Sequence, residues 1–143
     1  MLPLDPNESL GFHCSLTTKA FMNALERRLK GTGVSKAQFL ALEHLFMSGP
    51  LSLSELVDRL SITPASGVRL VDRMVRDGWV KRQFDSKDGR VKLLVPTKLI
   101  AKQWPEISHV GRQNLGRAYQ GIDRAEIETV KRILKKIREN LKT

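Results

Sequence analysis

Residues 63–95 read TPASGVRLVDRMVRDGWVKRQFDSKDGRVKLLV, a helix followed without pause by a hairpin. Thr63 is a capping residue, Pro64 suits the first helical position and Gly78 suits a C-terminal stop. At about 100° per residue, Gly67, Leu70, Val71, Met74 and Gly78 share one face, which is expected to pack inward. Ala65, Ser66, Arg69, Asp72, Arg73 and Arg76 are left on the open face, with Ser66, Arg69 and Arg73 in one narrow sector. Small side chains near the start of such a helix permit close approach to a DNA major groove, while guanidinium groups reach phosphates or guanine edges. A merely solvated helix face would carry the same residues, so the helix alone does not choose.

The next segment shifts the weighting. Val80, Arg82 and Phe84 alternate with Lys81 and Gln83, and Val91, Leu93 and Val95 alternate with Lys92 and Leu94, which is strand periodicity in both arms. Asp88-Gly89 is a turn signal. Lys87 and Arg90 fall at the tip and Lys81, Arg82 and Lys92 on the arms, a distribution suited to a loop lying along phosphates or entering a minor groove. Helix followed by basic hairpin is the winged-helix order.

Working outward, Ser52 with Glu55 fits a capping box that opens a short helix through Leu53, Leu56, Val57 and Leu60. Ser61-Ile62 then turns into the Thr63 helix, completing a helix-turn-helix. Ser35 with Gln38 fits the same box, before a helix carrying Phe39, Leu40, Leu42, Leu45 and Phe46 and closed by Ser48-Gly49-Pro50. Leu2 to Asn7, with two prolines and no periodicity, is expected to be an extended arm. A helix is expected from Glu8 to about Lys30, with Phe21, Met22, Ala24, Leu25 and Leu29 as its apolar stripe and Gly31-Thr32-Gly33 as its end. Downstream, Thr97 caps a helix through Leu99, Ile100, Trp104, Ile107, Val110, Leu115 and Tyr119. Pro105 predicts a kink or break in it, and Gly121 stops it. Asp123 with Glu126 opens a last helix, in which Ile127, Val130, Leu134, Ile137 and Leu141 alternate spacings of three and four, as a helix-helix seam requires. The expected fold is mainly α with a small β-hairpin wing (α+β). It is a single unit over 1–143, with a winged helix-turn-helix at about 35–97 and a helical dimerisation region at about 8–30 and 98–143.

The 143 residues suffice for one domain with a core. Residues 61–98 carry nine basic and four acidic side chains and 99–143 carry ten and five, so each segment sums to +5 and together they hold the formal net charge of +10. Such a balance implies an anionic partner, nucleic acid first and a membrane surface second. The tail KRILKKIRENLK would suit an anionic membrane as a basic amphipathic helix, but its seam spacing favours packing on another helix, so no membrane partner is expected. There is no membrane-length apolar run, and the amino terminus MLPLDPNESLGF lacks the order of a signal peptide, so the expected location is cytoplasmic. One cysteine gives neither a disulfide framework nor a zinc spacing. His13, His44 and His109, with Cys14 or Glu43, match no compact ligand motif, and no metal is expected. With no GxxxxGK, HExxH or GxSxG pattern, neither an enzyme nor a cofactor is expected.

The chain resembles the MarR family of bacterial transcription regulators. The resemblance runs over nearly the whole length: a leading helix, Val34-Ser35 with Gln38, SLSELVDRL at 52–60, VRLVDRM at 68–74, GWVKRQ at 78–83, Asp88-Gly89-Arg90, Thr97 and a closing two-helix tail. It implies a homodimer intertwined through its first and last helices. Each helix-wing unit would read half of a pseudo-palindrome, with half-sites roughly 10 base pairs apart. Ser66, Arg69 and Arg73 match recognition-helix positions, and Arg76 continues that flank. Asp88 and Arg90 match the wing pair, in which the carboxylate orients the guanidinium toward the minor groove, with Lys87 beside them. Three positions depart from the pattern: Gly89 stands where a basic residue is frequent, Pro96 where a strand leucine is usual and Ile100 where glycine is frequent. In many relatives small aromatic ligands enter a cleft between the dimer helices and the reading head. His13, Phe21, His44 and Trp104 are the candidates to line it here, against a plain core role for the aromatics. Some relatives sense peroxide through a first-helix cysteine. Cys14 lies about one turn from that position and has no Lys or Arg before Lys19, which favours an inert thiol. The expected function is a dimeric, sequence-specific DNA-binding regulator, a repressor acting on duplex DNA. Two alternatives stand beside it: a nonspecific basic nucleic-acid binder and a winged helix used for protein interaction.

Overall fold

The computed structural model describes residues 4–142. After a single 3-10 turn at Pro6–Glu8 come α1 (Leu10–Leu29), α2 (Lys36–Ser48), β1 (Leu51–Ser52), α3 (Leu53–Leu60), α4 (Pro64–Arg76), β2 (Val80–Phe84), β3 (Lys92–Pro96), α5 (Lys98–Ala118) and α6 (Arg124–Asn140). The fold is therefore mainly helical, with one small antiparallel sheet in the order β1-β3-β2.

Local capping sets most helix starts. Ser35 Oγ accepts from the Gln38 amide at 3.2 Å and Gln38 Oε1 accepts from the Ser35 amide at 3.0 Å, the complete reciprocal box. The second box is only half made. Ser52 Oγ accepts from the Glu55 amide, but Glu55 Oε1 accepts from the Ser52 hydroxyl rather than from its backbone, and Ser52 itself closes a strand paired with Leu93. At α6, Glu126 Oε2 accepts from the Asp123 amide at 2.9 Å.

Four expectations change. The described part of the expected extended arm instead forms the 3-10 turn, because Asp5 caps it by accepting from the Asn7 amide and Pro6 stands at its first position. Leu2 and Pro3 lie outside the described residues. Consequently α1 starts at Leu10, with Ser9 as its cap. Pro105 breaks nothing: α5 runs continuously through it. Both Pro105 and Ala101, whose carbonyl loses its amide partner there, are solvent-exposed, so water can satisfy that group. Finally, the hairpin has a third strand. Leu51 pairs with Leu94, making β3 central, and Leu94 is the side chain buried in the core while Leu93 and Val95 are half-buried on the opposite side.

One core joins the N-terminal helix to the sheet. Leu25 and Leu29 of α1 meet Phe39, Leu42 and Leu45 of α2, Leu70, Val71 and Met74 of α4, Leu94 of β3, and Ile100 and Ile107 of α5. Trp104 packs against this cluster, stacked on Phe46 with ring centroids 4.7 Å apart and tilted against Phe39 at 5.5 Å. Buried Asn114 ties α5 to α1 by donating to the Phe21 carbonyl. α6 contrasts with every other long helix: none of its residues is buried. No described helix is long and apolar enough to cross a membrane.

Candidate nucleic-acid interface

The two helices of the reading head approach closely because residue 67 has no side chain. A Cβ on buried Gly67 would run into the Val57 side chain of α3. Between the helices, Ser61 takes the left-handed conformation at φ 54° and the Ile62 amide donates to the Val57 carbonyl, which closes α3 and aims the chain into the next helix. Thr63 then caps α4 by accepting from the Ser66 amide at 3.1 Å.

With Gly67, Leu70, Val71 and Met74 committed to the core, α4 presents Ala65, Val68, Arg69, Asp72, Arg73 and Arg76 to solvent. Ser66 is half-buried. Its hydroxyl receives hydrogen bonds from Thr63 Oγ1 at 3.0 Å and from Arg69 Nη2 at 3.3 Å, so it steers Arg69 as well as lying on the helix face. Arg76 Nε lies 3.5 Å from Asp77 Oδ1. The C-terminal end of α4 is also held from α2: Gln38, buried, donates to Asp77 Oδ2 at 2.9 Å. That hydrogen bond, aided by the nearby charges of Arg76 and Arg73, keeps the Asp77 carboxyl below the usual carboxylate range.

The wing is ordered by its own acids. Asp85 Oδ1 accepts from the Lys87 amide at 2.9 Å, and the Asp85 amide donates to the Val91 carbonyl at 2.8 Å. Asp88 Oδ1 accepts from both the Arg90 amide at 3.1 Å and Arg90 Nε at 3.2 Å, yet the Arg90 side chain remains 92% exposed. Asp88 and Arg90 are thus brought together as the resemblance implied, with Lys87 beside them. Asp88-Gly89 does not form a two-residue hairpin, however. The strands are joined by residues 85–91, Asp88 occupies the first position of a turn closed by the Val91 amide, and Gly89 does not take a positive φ.

Other contacts escape a reading along the chain. Asp72 Oδ1 on α4 accepts from Arg82 Nη2 on β2 at 2.7 Å, a direct strut between helix and wing. Thr97 caps α5, and its hydroxyl donates to the Gly78 carbonyl at 2.6 Å, locking the base of the wing to the end of α4. Pro96 sits at the last β3 position opposite Val80, and Ile100 is fully buried, so both unusual residues are accommodated at the wing exit. Opposite charges at Asp72 and Arg82 were the only sequence signal of the strut, readable once α4 and β2 are known to be neighbours.

All four acids of segment 61–98 are therefore engaged in holding a backbone amide or a cation. Arg69, Arg73, Lys81, Lys87, Lys92 and Lys98 have no carboxylate partner among the described residues. The surface of α4 and the wing therefore carries an excess of positive charge, which attracts a polyanion such as duplex DNA.

The four residues proposed to line a ligand cleft are not gathered together within one chain. Phe21 meets Tyr119 edge-on and lines an apolar groove of about 590 Å³ between α1, the end of α5 and α6. His13, His44 and Trp104 are not part of that groove. Trp104 belongs to the Phe39 and Phe46 cluster, His13 is exposed beside Phe12, and His44 is half-buried on α2. Cys14 is half-buried and unbridged. The described residues contain no group of three side chains able to hold a metal ion.

Comparison with known proteins gives a consistent result. Residues 32–91 match the sequence pattern of the MarR family. The HTH-type transcriptional repressor IacR of Pseudomonas putida is 26% identical over 119 residues, which cover 83% of this chain and 71% of that protein. A mutant MarR from E. coli, solved with operator DNA, superposes with a TM-score of 0.82 at 24% identity, covering 95% of this chain and 99% of the other. BpsR of Bordetella bronchiseptica, whose DNA binding is regulated by 6-hydroxynicotinic acid, superposes at 0.83 with 20% identity over 96% and 98% of the two chains. IacR is a transcriptional repressor, and the other two are DNA-binding proteins.

Proposed function

We propose that this chain, whose residues 32–91 match the MarR family and whose fold superposes on that of MarR from E. coli, is a homodimeric, sequence-specific DNA-binding transcription regulator. It would act as a repressor by occupying a pseudo-palindromic operator in the bacterial cytoplasm. The observation that carries the reading is the pairing of an open arginine face on α4 with a wing whose Arg90 is aimed by Asp88. In that arrangement Arg69, Arg73 and Arg76, with Ser66, serve the major groove and its phosphates. Lys87 and Arg90 serve the minor groove. The unit at about 35–97 is the reading head.

The helices at about 8–30 and 98–143 serve dimerisation. Leu10, Phe12 and Leu16 on α1, Leu115 on α5 and Val130 and Ile133 on α6 are exposed, and a second copy would cover them. The apolar groove lined by Phe21 and Tyr119 supports a small aromatic ligand as effector, with His13, His44 and Trp104 as further candidates if the second copy completes a cleft.

Selection from a random duplex pool at near-physiological salt tests the reading. An enriched inverted repeat with half-sites roughly 10 base pairs apart supports it. Retention without an enriched motif would make the protein a nonspecific binder, and no retention would direct the winged helix toward a protein partner.

A further inference from the structure

The wing carries one large apolar side chain that its own chain does not cover. Phe84 is 61% exposed at the end of β2. Its position follows from the ladder: Phe84 lies opposite Lys92, two residues beyond the Arg82–Leu94 pair, so Phe84, Arg82, Lys92 and Leu94 share one side of the sheet. Arg82, Lys92 and Leu94, with Arg90, also line a cleft of about 360 Å³ whose opposite wall is Leu53, Val68 and Val71 of α3 and α4. Phe84 therefore stands on the side of the wing that faces the recognition helix. Lys92 Nζ lies 5.9 Å from its ring centroid.

The cleft has a definite place on a duplex. If α4 occupies a major groove and Arg90 the adjacent minor groove, one sugar-phosphate strand must pass between them, over the mouth of the cleft. That strand alternates anionic phosphates with apolar deoxyribose faces, and the surface opposite it alternates cations with an exposed phenyl ring. We infer that the cleft between α4 and the wing seats this strand, with Lys92 against a phosphate and the Phe84 ring packed on a neighbouring deoxyribose. Charge complementarity selects the occupant: Lys92 stands beside the ring and Arg90 and Lys92 line the cleft, so an apolar protein segment would have to desolvate them. The contact reads no base. It supplies sequence-independent affinity and fixes the wing's register on the backbone.

This inference rests on the DNA-binding reading, and the experiment separates the two. Affinities of the full-length wild type, Phe84→Ala, Phe84→Tyr and Lys92→Ala are measured on the selected duplex and on an unrelated duplex across a salt series, after circular dichroism shows each variant folded. Phe84→Ala is expected to weaken both duplexes by about tenfold, from loss of roughly half a phenylalanine's burial, with an unchanged slope of log affinity against log salt. Phe84→Tyr should retain wild-type affinity. Lys92→Ala should lower the slope by about 0.9, one released counterion. Unchanged affinity in Phe84→Ala, or a loss confined to the selected duplex, overturns the deoxyribose contact while leaving the regulator reading intact. If the wild type retains no duplex, both fall.

Discussion

Gly67→Ala isolates the contact on which the helix-turn-helix depends. Gly67 is helical, so backbone conformation does not forbid alanine, and helix propensity alone would favour the substitution by about 0.8–1.0 kcal/mol. Against this, the new methyl would run into the Val57 side chain, which is itself buried. Forcing an extra carbon into a packed contact costs about 1–3 kcal/mol. At the middle of these ranges the collision wins, leaving a net loss of about 1 kcal/mol and at most about 2, or about 3–6 °C in Tm for a chain of this size. Val57→Ala alone removes two methyl groups from the same place and should cost about 2 kcal/mol. In the double variant the methyl added at position 67 occupies part of the vacated space, so the two losses should fall short of additive by about 1 kcal/mol or more. Urea and thermal unfolding at one fixed protein concentration measure all four corners of the cycle, the fixed concentration being needed if a dimer dissociates on unfolding. A Gly67→Ala protein as stable as wild type, with strict additivity in the double variant, would refute the collision and show that Val57 yields at little cost.

Arg69→Ala should lower operator affinity by about 1–3 kcal/mol and relax discrimination at one base position; equal loss on every sequence would reassign Arg69 to a phosphate. Arg90→Ala should weaken operator binding while sedimentation still reports the wild-type assembly, and unaltered affinity would remove the wing tip from recognition. Glu43 lies half-buried on α2, and burial raises its carboxyl above the ordinary value. The folded state therefore binds that proton more tightly than the unfolded chain, so ionised Glu43 weakens the fold at neutral pH, and the penalty fades as pH falls through the folded-state value. Glu43→Gln should accordingly melt higher than wild type at pH 7, with the difference vanishing toward about pH 4; a constant difference across that range would assign the effect to packing.

What the sequence determined by itself was whatever a few neighbouring residues decide among themselves. Ser35 with Gln38 and Thr63 with Pro64 mark helix starts because the groups they satisfy lie within one turn. Asp88 and Arg90 sit two residues apart and meet for the same reason. The inward face of α4 was legible because helical periodicity fixes which residues share a side. The order of helix and basic hairpin then sufficed for the fold class.

Tertiary structure decided the rest, wherever partners are distant along the chain or two local solutions compete. Strand β1 is two residues long and exists only because β3 offers a free edge, and that pairing made Leu94 the buried side chain where alternation alone could not choose. Pro105 stays inside a helix because Ile100 and Ile107, on either side of it, are both anchored in the core. Phe21 and Trp104 share aromatic character but enter different clusters, since one faces the end of α5 and the other lies over α2. The Asp72–Arg82 strut and the Gln38–Asp77 bond join side chains 10 and 39 residues apart. Their energy depends on a separation of about 3 Å that no local pattern encodes, and it is set only when the core has fixed the elements that carry them.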